Sequence, residues 1–593
     1  MNLDDFYNGN EWYAYKYFGA HVTEGGVQFR VYAPHAVRVT LIGEFNRWYE
    51  SEMRVEGRGG IYSLKVKNAK PSHMYKYRIY NRDGSVTDKA DPYGFLMELR
   101  PCSASIVVNE NNYKFEDASW MNSRDKMYNK PMNIYEIHFG SWKAKGNRWY
   151  WYDELGDELI PYLKEMGYTH VELMPINEHP HDGSWGYQST GFFAPTSRYG
   201  TPEGLKLFID QCHQAGIGVL LDFVLVHFAV DDYGLKYFDG SPLYELPFDD
   251  VERSEWGSYN FAHGRGEVAS FLKSCGNYWL SEYHFDGLRI DAVSNIIYWG
   301  GDVNRGVNQE ALAFVQSLNK GLHNIHPTAL LIAEDSTSFL KVTAPVQYEG
   351  LGFDYKWDLG FMHDTFEFFK RNPEDRRSHY KDLLFSMHYF YKELYLLAFS
   401  HDENVHGKKT ILDKMYGNYK EKFANARALY VYMMTHPGKK LHFMGNEIGQ
   451  FREWSEQRPQ DFDVLLEYPM HQKFQRFFRD LNHIYNYHPA LYDGEYDAAC
   501  FRYIVNDKPE DLVYAYERCA GGERIFVVLN LSEQHYVNYR ISLQGNHQLE
   551  ELMNTDGEIY GGTTASTKST IEVRNNQCFM DLPAYSGRIF KEM

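Results

Sequence analysis

The sequence has few cysteines and no pattern that would pair them. Its six cysteines are spread over 593 residues, and no two of them form a C-x-x-C pair. In a chain of this length, such scattered cysteines are typical of reduced core residues and exclude a disulfide framework or a zinc site.

The sequence also lacks segments that would target or anchor it in a membrane. It contains no run of about 18 apolar residues, the length that a spanning helix needs. Residues 1–19 are acidic and aromatic, without the basic and apolar regions of a signal peptide. We therefore expect no membrane partner and a cytoplasmic location.

Positive charge is in deficit, whereas aromatic residues are abundant. The chain has 61 Lys and Arg against 80 Asp and Glu, a formal net charge of −19. Phosphates would be repelled, so a nucleic-acid partner is excluded. Aromatic residues make up 17% of the sequence, which suits either a large core or stacking surfaces for sugar rings. Composition does not separate these two interpretations.

Apolar periodicity divides the chain into three regions. From about residue 18 to 108, and again after about 490, short alternating runs are broken by turn residues, which is typical of antiparallel β-sandwiches. Between them, strand-like runs alternate with helical patterns. We accordingly expect three domains, which are an N-terminal β-sandwich over 1–110, a catalytic barrel over 111–488 and a C-terminal β-sandwich over 489–593.

Eight strand-like runs predict that the central region is an α/β fold, a closed (β/α)₈ TIM barrel. The runs lie at 133–140, 169–176, 217–224, 285–293, 329–335, 353–360, 395–403 and 440–447. Amphipathic helices at 155–167 and 202–216 separate some of them, and Gly216 provides a helix stop. The aromatic segment 228–262 is predicted to form an excursion over the cleft.

Four of these runs end in charged residues or histidines. The catalytic groups of a (β/α)₈ barrel lie at such carboxyl-terminal ends of the strands. The residues are Asp222 and His227 after the third run, Arg289 and Asp291 after the fourth, Glu334 after the fifth, and His401 and Asp402 after the seventh. Each pattern alone is more often structural. Their joint occurrence in barrel order predicts a catalytic cleft.

The chemistry of two of these acids differs with their surroundings. Arg289 and Asp291 are two residues apart on a strand and face the same way, so the guanidinium keeps the carboxylate ionised. Burial at the end of an apolar strand raises the pKa of Glu334, which suits a general acid/base. One acid that attacks and one that protonates is the arrangement of a retaining glycosidase.

Other side chains are candidates for sugar contact. Asp402 is able to orient hydroxyls, His227 and His401 to hydrogen-bond them, and Tyr187 to stack on a sugar ring. Trp185, Trp256 and Trp454 are either glucan contacts or packing residues. His179 and His181 flank Pro180 and do not converge easily on one ion, so we expect no metal and no cofactor.

The strand-end motifs resemble those of the α-amylase superfamily, glycoside hydrolase family 13. The resemblance implies that Asp291 is the nucleophile, Glu334 the acid/base and Asp402 the stabiliser of the transition state. It further implies contacts to the substrate ring from Tyr187, Asp222, His227, Arg289 and His401.

Longer stretches, at 172–203, 400–408 and 443–454, are similar to the 1,4-α-glucan (glycogen) branching enzymes, and the N-terminal region resembles a family 48 carbohydrate-binding module. The resemblance implies cleavage of an internal α-1,4 linkage and transfer to a 6-hydroxyl, with glycogen, amylose or amylopectin as donor and acceptor. We expect a monomer or weak oligomer. Phe223 and Asn404 depart from the family pattern, which leaves chain-length preference and acceptor binding open.

Two alternatives to branching remain from the sequence. An α-glucan hydrolase, debranching or amylolytic, would differ only in using water as the second acceptor. A non-catalytic glucan-binding protein is the other, but it would have no reason to retain Asp291, Glu334 and Asp402 together.

Overall fold

The computed structural model describes residues 1–57, 59–109, 112–565 and 569–593. The predicted boundary at residues 110 and 111 lies outside the described residues. Within the described ranges, no helix is long and apolar enough to cross a membrane.

The N-terminal region consists of two antiparallel sheets that pack face to face. The first sheet contains, in spatial order, Gly19–Thr23, Gly26–Tyr32, Ile61–Val66 and Arg54–Glu56. The second contains Ser51–Glu52, Arg38–Gly43, Met74–Tyr80 and Val86–Lys89, and Ser105–Ile106 also pairs with Met74–Tyr80. Phe29 and Tyr75, one from each sheet, have ring centroids 4.9 Å apart. Apolar residues at alternate positions thus face a shared core, as the sequence predicted.

Eight parallel strands close into a barrel. In chain order they are Asn133–Ile137, His170–Leu173, Gly218–Phe223, Gly287–Ile290, Leu330–Ala333, Tyr355–Trp357, Tyr395–Phe399 and Lys439–Phe443. The first strand pairs with both the second and the eighth, which completes the ring. The first seven lie within predicted strand-like runs, the eighth begins one residue before its run at 440–447, and the predicted barrel is confirmed.

Helices surround the barrel. The longer ones are Tyr152–Met166, Pro202–Gln214, Gly266–Glu282, Gln309–Ile325, Leu359–Lys370, Tyr419–Thr435 and Pro469–Tyr487; the shorter ones are Leu3–Tyr7, Ala118–Ser123, Val293–Ile297, Pro373–Ser378, Ile411–Lys414, Phe462–Leu465 and Pro489–Tyr492. Thr201 caps the helix that begins at Pro202 by accepting from the Gly204 N–H. Gly216 follows that helix with φ of 80°, so the predicted stop is confirmed.

The C-terminal region is again antiparallel. Six strands form one sheet in the order Phe501–Val505, Val513–Ala520, Glu523–Asn530, Ser586–Glu592, His547–Asn554 and Thr570–Val573, and Tyr536–Ser542 pairs with Gln577–Leu582. Buried Phe526 and Phe590 of the larger sheet share a core with Ile541 and Cys578 of the smaller one.

The cysteines only partly match the prediction of core thiols. Cys212, Cys275 and Cys578 are buried, but Cys102 is exposed and Cys500 and Cys519 are half-buried. The prediction is wrong for these last three residues because they lie on a loop and at strand ends, where apolar patterning gives no information on depth.

The segment between the third strand and the next helix links the barrel to the N-terminal region. Its ends are joined by pairing of His227–Phe228 with Tyr259–Asn260. Lys89 of the N-terminal region donates to the carbonyls of Asp232 and Lys236, both at 2.6 Å. The segment therefore has a fixed position beside the carboxyl ends of the strands.

Candidate active site

A cavity of ≈ 470 Å³ opens at the carboxyl ends of the barrel strands. Eight of the eleven sequence-predicted site residues border it: Trp185, Tyr187, His227, Trp256, Asp291, Glu334, His401 and Asp402. The other three, Asp222, Arg289 and Trp454, are buried. The strand-end pattern thus identified groups that the fold brings together.

Arg289 fixes the position of Asp291 from beneath the cavity. Its Nη1 donates to Asp291 Oδ1 and to Asp222 Oδ1, both at 2.7 Å. The guanidinium carbon lies 4.3 Å from the ring centroid of Trp357, and the Tyr187 hydroxyl donates to Asp222 Oδ2 at 2.6 Å. A guanidinium held this way restricts the carboxylate to one orientation.

Glu334 is a carboxyl group suited to proton transfer at neutral pH. Burial raises its pKa to about 7; Arg289 opposes this effect, and the negative charges of Asp291 and Asp402 add to it. Its Oε2 accepts the Ala292 N–H at 2.7 Å, and Ala292 has a left-handed φ of 44°. Near pH 7 Glu334 exists in comparable protonated and ionised amounts, as a group that both gives and takes a proton requires.

Asp402 lies beside a charged histidine. Burial alone would lower the pKa of His401, but Asp402 and Glu136 outweigh it and raise that pKa to about 9. The Nδ1 of His401 lies 2.6 Å from Glu136 Oε1, and its Nε2 lies 3.4 Å from Asp402 Oδ1. Although desolvation acts in the opposite direction, His401 and Arg289 lower the pKa of Asp402, so it is ionised at neutral pH.

The aromatic candidates occupy different depths. Trp256 is 46% exposed and packs edge to face on His227 at 5.2 Å between ring centroids. Trp185 stacks on His406 at 5.3 Å. Trp454 is only 5% exposed and its centroid lies 4.7 Å from that of Trp185, so it supports Trp185 and does not border the cavity.

Tyr187 borders the cavity and is also tied to groups behind it. Its ring is stacked on His401, with 5.6 Å between centroids, and its hydroxyl is hydrogen-bonded to Asp222. The side chain therefore also holds buried groups in place.

Sequence reasoning missed two acids inside the barrel. Glu136, on the first strand, is fully buried and accepts the His401 backbone N–H at 2.8 Å. Glu172, on the second strand, is fully buried, and neither of its carboxylate oxygens has a hydrogen-bond partner in the described ranges. Burial raises its pKa well above the usual range. A lone acid within an apolar strand was the only available signal for either residue.

We expect Glu136→Gln to lower kcat by about ten- to a hundredfold, because a hydrogen bond to a charged group contributes about 1.5–3 kcal/mol and this one orients His401 at the cavity. The substitution removes one of the two negative charges that raise the pKa of His401, so that pKa should fall from about 9. Histidine NMR titration and kcat against pH would measure both effects. Lower activity with an unchanged His401 titration would contradict this positioning role.

Sequence comparison identifies close relatives of the whole chain. The 1,4-alpha-glucan branching enzyme GlgB of Bacillus caldolyticus is 43% identical over 570 residues, covering 94% of this chain and 85% of that protein. The chain belongs to the 1,4-alpha-glucan branching enzyme family. The GlgB protein of Halothermothrix orenii is also 43% identical, with coverage of 96% of this chain and 93% of that protein.

Family models match three parts of this branching-enzyme family member. Carbohydrate-binding module 48 (isoamylase N-terminal domain) matches residues 17–94, the α-amylase catalytic domain matches 156–247, and the α-amylase C-terminal all-β domain matches 503–592. The matched catalytic segment does not extend to Asp291, Glu334 or Asp402.

Solved structures share the fold of this branching-enzyme family member. A pullulanase from Anoxybacillus sp. LM18-11, complexed with maltotetraose, aligns with a TM-score of 0.76 at 17% identity, covering 100% of this chain and 89% of that chain. A type I pullulanase from Bacillus subtilis complexed with maltose has the same TM-score at 19% identity, covering 100% and 87% of the two chains. At these identities the likeness shows the fold alone.

Proposed function

We propose that the protein cleaves an internal α-1,4-glucan linkage and transfers the released chain to a 6-hydroxyl, with Asp291 as nucleophile and Glu334 as acid/base. One observation carries this proposal. Arg289 lies 2.7 Å from Asp291 and 3.8 Å from Glu334, so the two carboxyl groups lie side by side at one cavity, and burial raises the pKa of Glu334 to about 7. Adjacent carboxyl groups are the arrangement of a retaining mechanism.

In the first step, Glu334 donates its proton to the glycosidic oxygen while a carboxylate oxygen of Asp291 attacks the anomeric carbon. The C–O bond to the leaving glucan breaks, and that fragment departs with a free 4-hydroxyl, which is a new non-reducing end. The remaining fragment is bound to Asp291 as a covalent ester.

In the second step, the ionised Glu334 takes the proton of an acceptor 6-hydroxyl. The resulting oxygen attacks the same anomeric carbon, the ester bond to Asp291 breaks, and an α-1,6 branch forms. Two inversions at one carbon preserve the α configuration. Glu334 returns to its protonated form, so no proton or electron is left over.

The remaining site residues support these steps. Ionised Asp402 is placed to bind hydroxyls of the distorted ring and to favour positive charge that develops in the transition state. The buried His227 Nε2 has no hydrogen-bond partner among the described residues, which leaves it available to a sugar hydroxyl. Trp185 and Trp256 border the same cavity and provide apolar faces for glucose rings.

The substrates we propose are glycogen, amylose and amylopectin, each as donor or acceptor. We also propose a cytoplasmic location and a monomeric or weakly oligomeric state. These proposals follow from the family resemblance.

The test is incubation of the purified protein with amylose while iodine absorbance, reducing ends and α-1,6 anomeric protons are followed together. Branching predicts falling iodine colour and new α-1,6 signals with few new reducing ends. Reducing ends that rise in step with the loss of colour would make the protein a hydrolase. No change on amylose or on longer glucans would indicate a binding protein.

A further inference from the structure

A second cavity, hereafter the side groove, lies next to the active site and has no part in the mechanism above. Its volume is ≈ 360 Å³. Its walls come from the loops after the first, second and eighth barrel strands, and they include His138, Trp149, Asp182, Arg198, Tyr199 and Glu456.

The side groove and the active site share a wall. Asp182 borders the groove, and Trp185, three residues later, borders the active-site cavity. Glu456 borders the groove and accepts the Trp185 indole N–H at 3.1 Å. A chain that leaves the active site over Trp185 therefore reaches the side groove directly.

The lining has the chemistry of a sugar-binding site. Trp149 provides ring surface, and a sugar ring has an apolar face that packs on an aromatic ring. Buried Tyr199 packs edge to face against Trp149, with 5.9 Å between ring centroids. Arg198 is 3% exposed, and Asp182 and Glu178 hold its Nε and Nη1 at 2.8 and 2.7 Å.

The third guanidinium nitrogen of Arg198 is unsatisfied. Its Nη2 is buried and has no hydrogen-bond partner within the described part of the chain. A buried donor without a partner is unfavourable, and a hydroxyl of a bound glucan would satisfy it.

The position of the side groove indicates which part of a glucan it would hold. Asp291 and Glu334 follow the fourth and fifth strands, whereas the groove lies above the eighth, first and second strands, on the opposite arc of the closed barrel. Glu334 protonates the leaving oxygen, so both the leaving fragment and the later acceptor occupy its side. The fragment retained on Asp291 extends the other way.

We propose that the side groove binds the non-reducing part of the donor glucan, remote from the linkage that is cleaved, and thereby sets the donor length that the enzyme prefers. The inference rests on the proposed function. Binding energy from remote units of a substrate increases kcat/KM only for substrates long enough to reach them.

The test compares the parent with Trp149→Ala on linear maltooligosaccharides of increasing length and on amylose. We expect kcat/KM to fall about tenfold for long donors, equivalent to about 1.4 kcal/mol, and to be unchanged for short donors. The advantage of long over short donors should therefore shrink.

Two further variants separate ring contact from structural damage. Trp149 donates its indole N–H to the Arg198 carbonyl, and Trp149→Phe loses this bond but keeps an aromatic ring, so it should retain the length dependence. Trp151→Ala removes an exposed tryptophan that does not border the groove and should behave like the parent. Thermal unfolding of each variant monitors the fold.

Several outcomes would overturn the inference. They are an unchanged length dependence in Trp149→Ala, an equal loss on short and long donors, or the same effect in Trp151→Ala. A parent enzyme that cleaves amylose without forming α-1,6 linkages would instead overturn the proposed function, and the length dependence of cleavage would still be measurable.

Discussion

Asp291→Asn is expected to lower kcat for cleavage and for branching by roughly 10⁴-fold, because the amide is unable to form the covalent intermediate. The amide keeps the shape of the carboxyl group, and its oxygen is still able to accept a hydrogen bond from Arg289. Asp222 also accepts from Arg289 at 2.7 Å and holds the guanidinium in place. Affinity for maltooligosaccharides should change little. Initial rates on amylose and calorimetric binding would measure the two effects separately.

A neighbouring acid provides the control for this prediction. Glu403 follows Asp402 directly but forms ion pairs with Lys408 and Lys414, and it does not border the cavity. Glu403→Gln should retain activity within about threefold of the parent, because its side chain contacts lysines and not the cavity. Activity of Asp291→Asn within about tenfold of the parent would remove Asp291 from the role of nucleophile.

The barrel was predictable because its signal is local. Each strand is a short apolar run; seven of the runs contain the observed strand, and the eighth overlaps it except for Lys439. The predicted runs were several residues too long at their carboxyl ends, as in 395–403 against the observed Tyr395–Phe399. The extra residues are the polar ones that leave the sheet and form the site, so the error in strand length and the functional signal have the same origin.

Depth within the site was not predictable in the same way. Asp222, Arg289 and Trp454 were predicted to touch the substrate, yet all three are buried beneath or behind residues that border the cavity. Glu136 was missed because its partner His401 is 265 residues away in the sequence. Contacts between distant strands depend on closure of the barrel, and no pattern within one segment reports them.

Arg289 lies unequally between the two acids that we propose as nucleophile and proton donor. Asp291 receives a direct hydrogen bond from Arg289 at 2.7 Å, whereas the nearest guanidinium nitrogen is 3.8 Å from Glu334. Burial dominates at Glu334 and raises its pKa to about 7. The proposed nucleophile is therefore held in place by the guanidinium, whereas the proposed proton donor lies beyond hydrogen-bond distance of it.

Glu334→Gln is expected to lower kcat/KM by roughly 10³-fold, because general acid/base catalysis contributes about 10²–10⁴-fold.

The pH dependence of the parent enzyme should report the same group. Only protonated Glu334 is able to start cleavage, and its pKa is about 7. The kcat/KM of the parent should therefore fall above about pH 7, about tenfold for each further pH unit. The variant has no such group, so its residual activity should be flat across that range. Rates on amylose from about pH 5 to pH 8.5 would show both results, and a parent-like fall in the variant would assign the titration to another group.

The same pKa predicts a stability effect with a defined sign. Burial raises the pKa of Glu334 in the folded protein to about 7, above the usual carboxyl value of 4.5. The native state therefore holds more protons than the unfolded state in this window, and its stability falls as the pH rises through it. Glu334→Gln removes this pH-dependent loss of stability. The variant should therefore have a higher Tm than the parent at about pH 8, and the difference in Tm should shrink below about pH 5. A difference in Tm that is independent of pH would mean that Glu334 does not titrate in this window, and the alkaline fall in activity would then need a different origin.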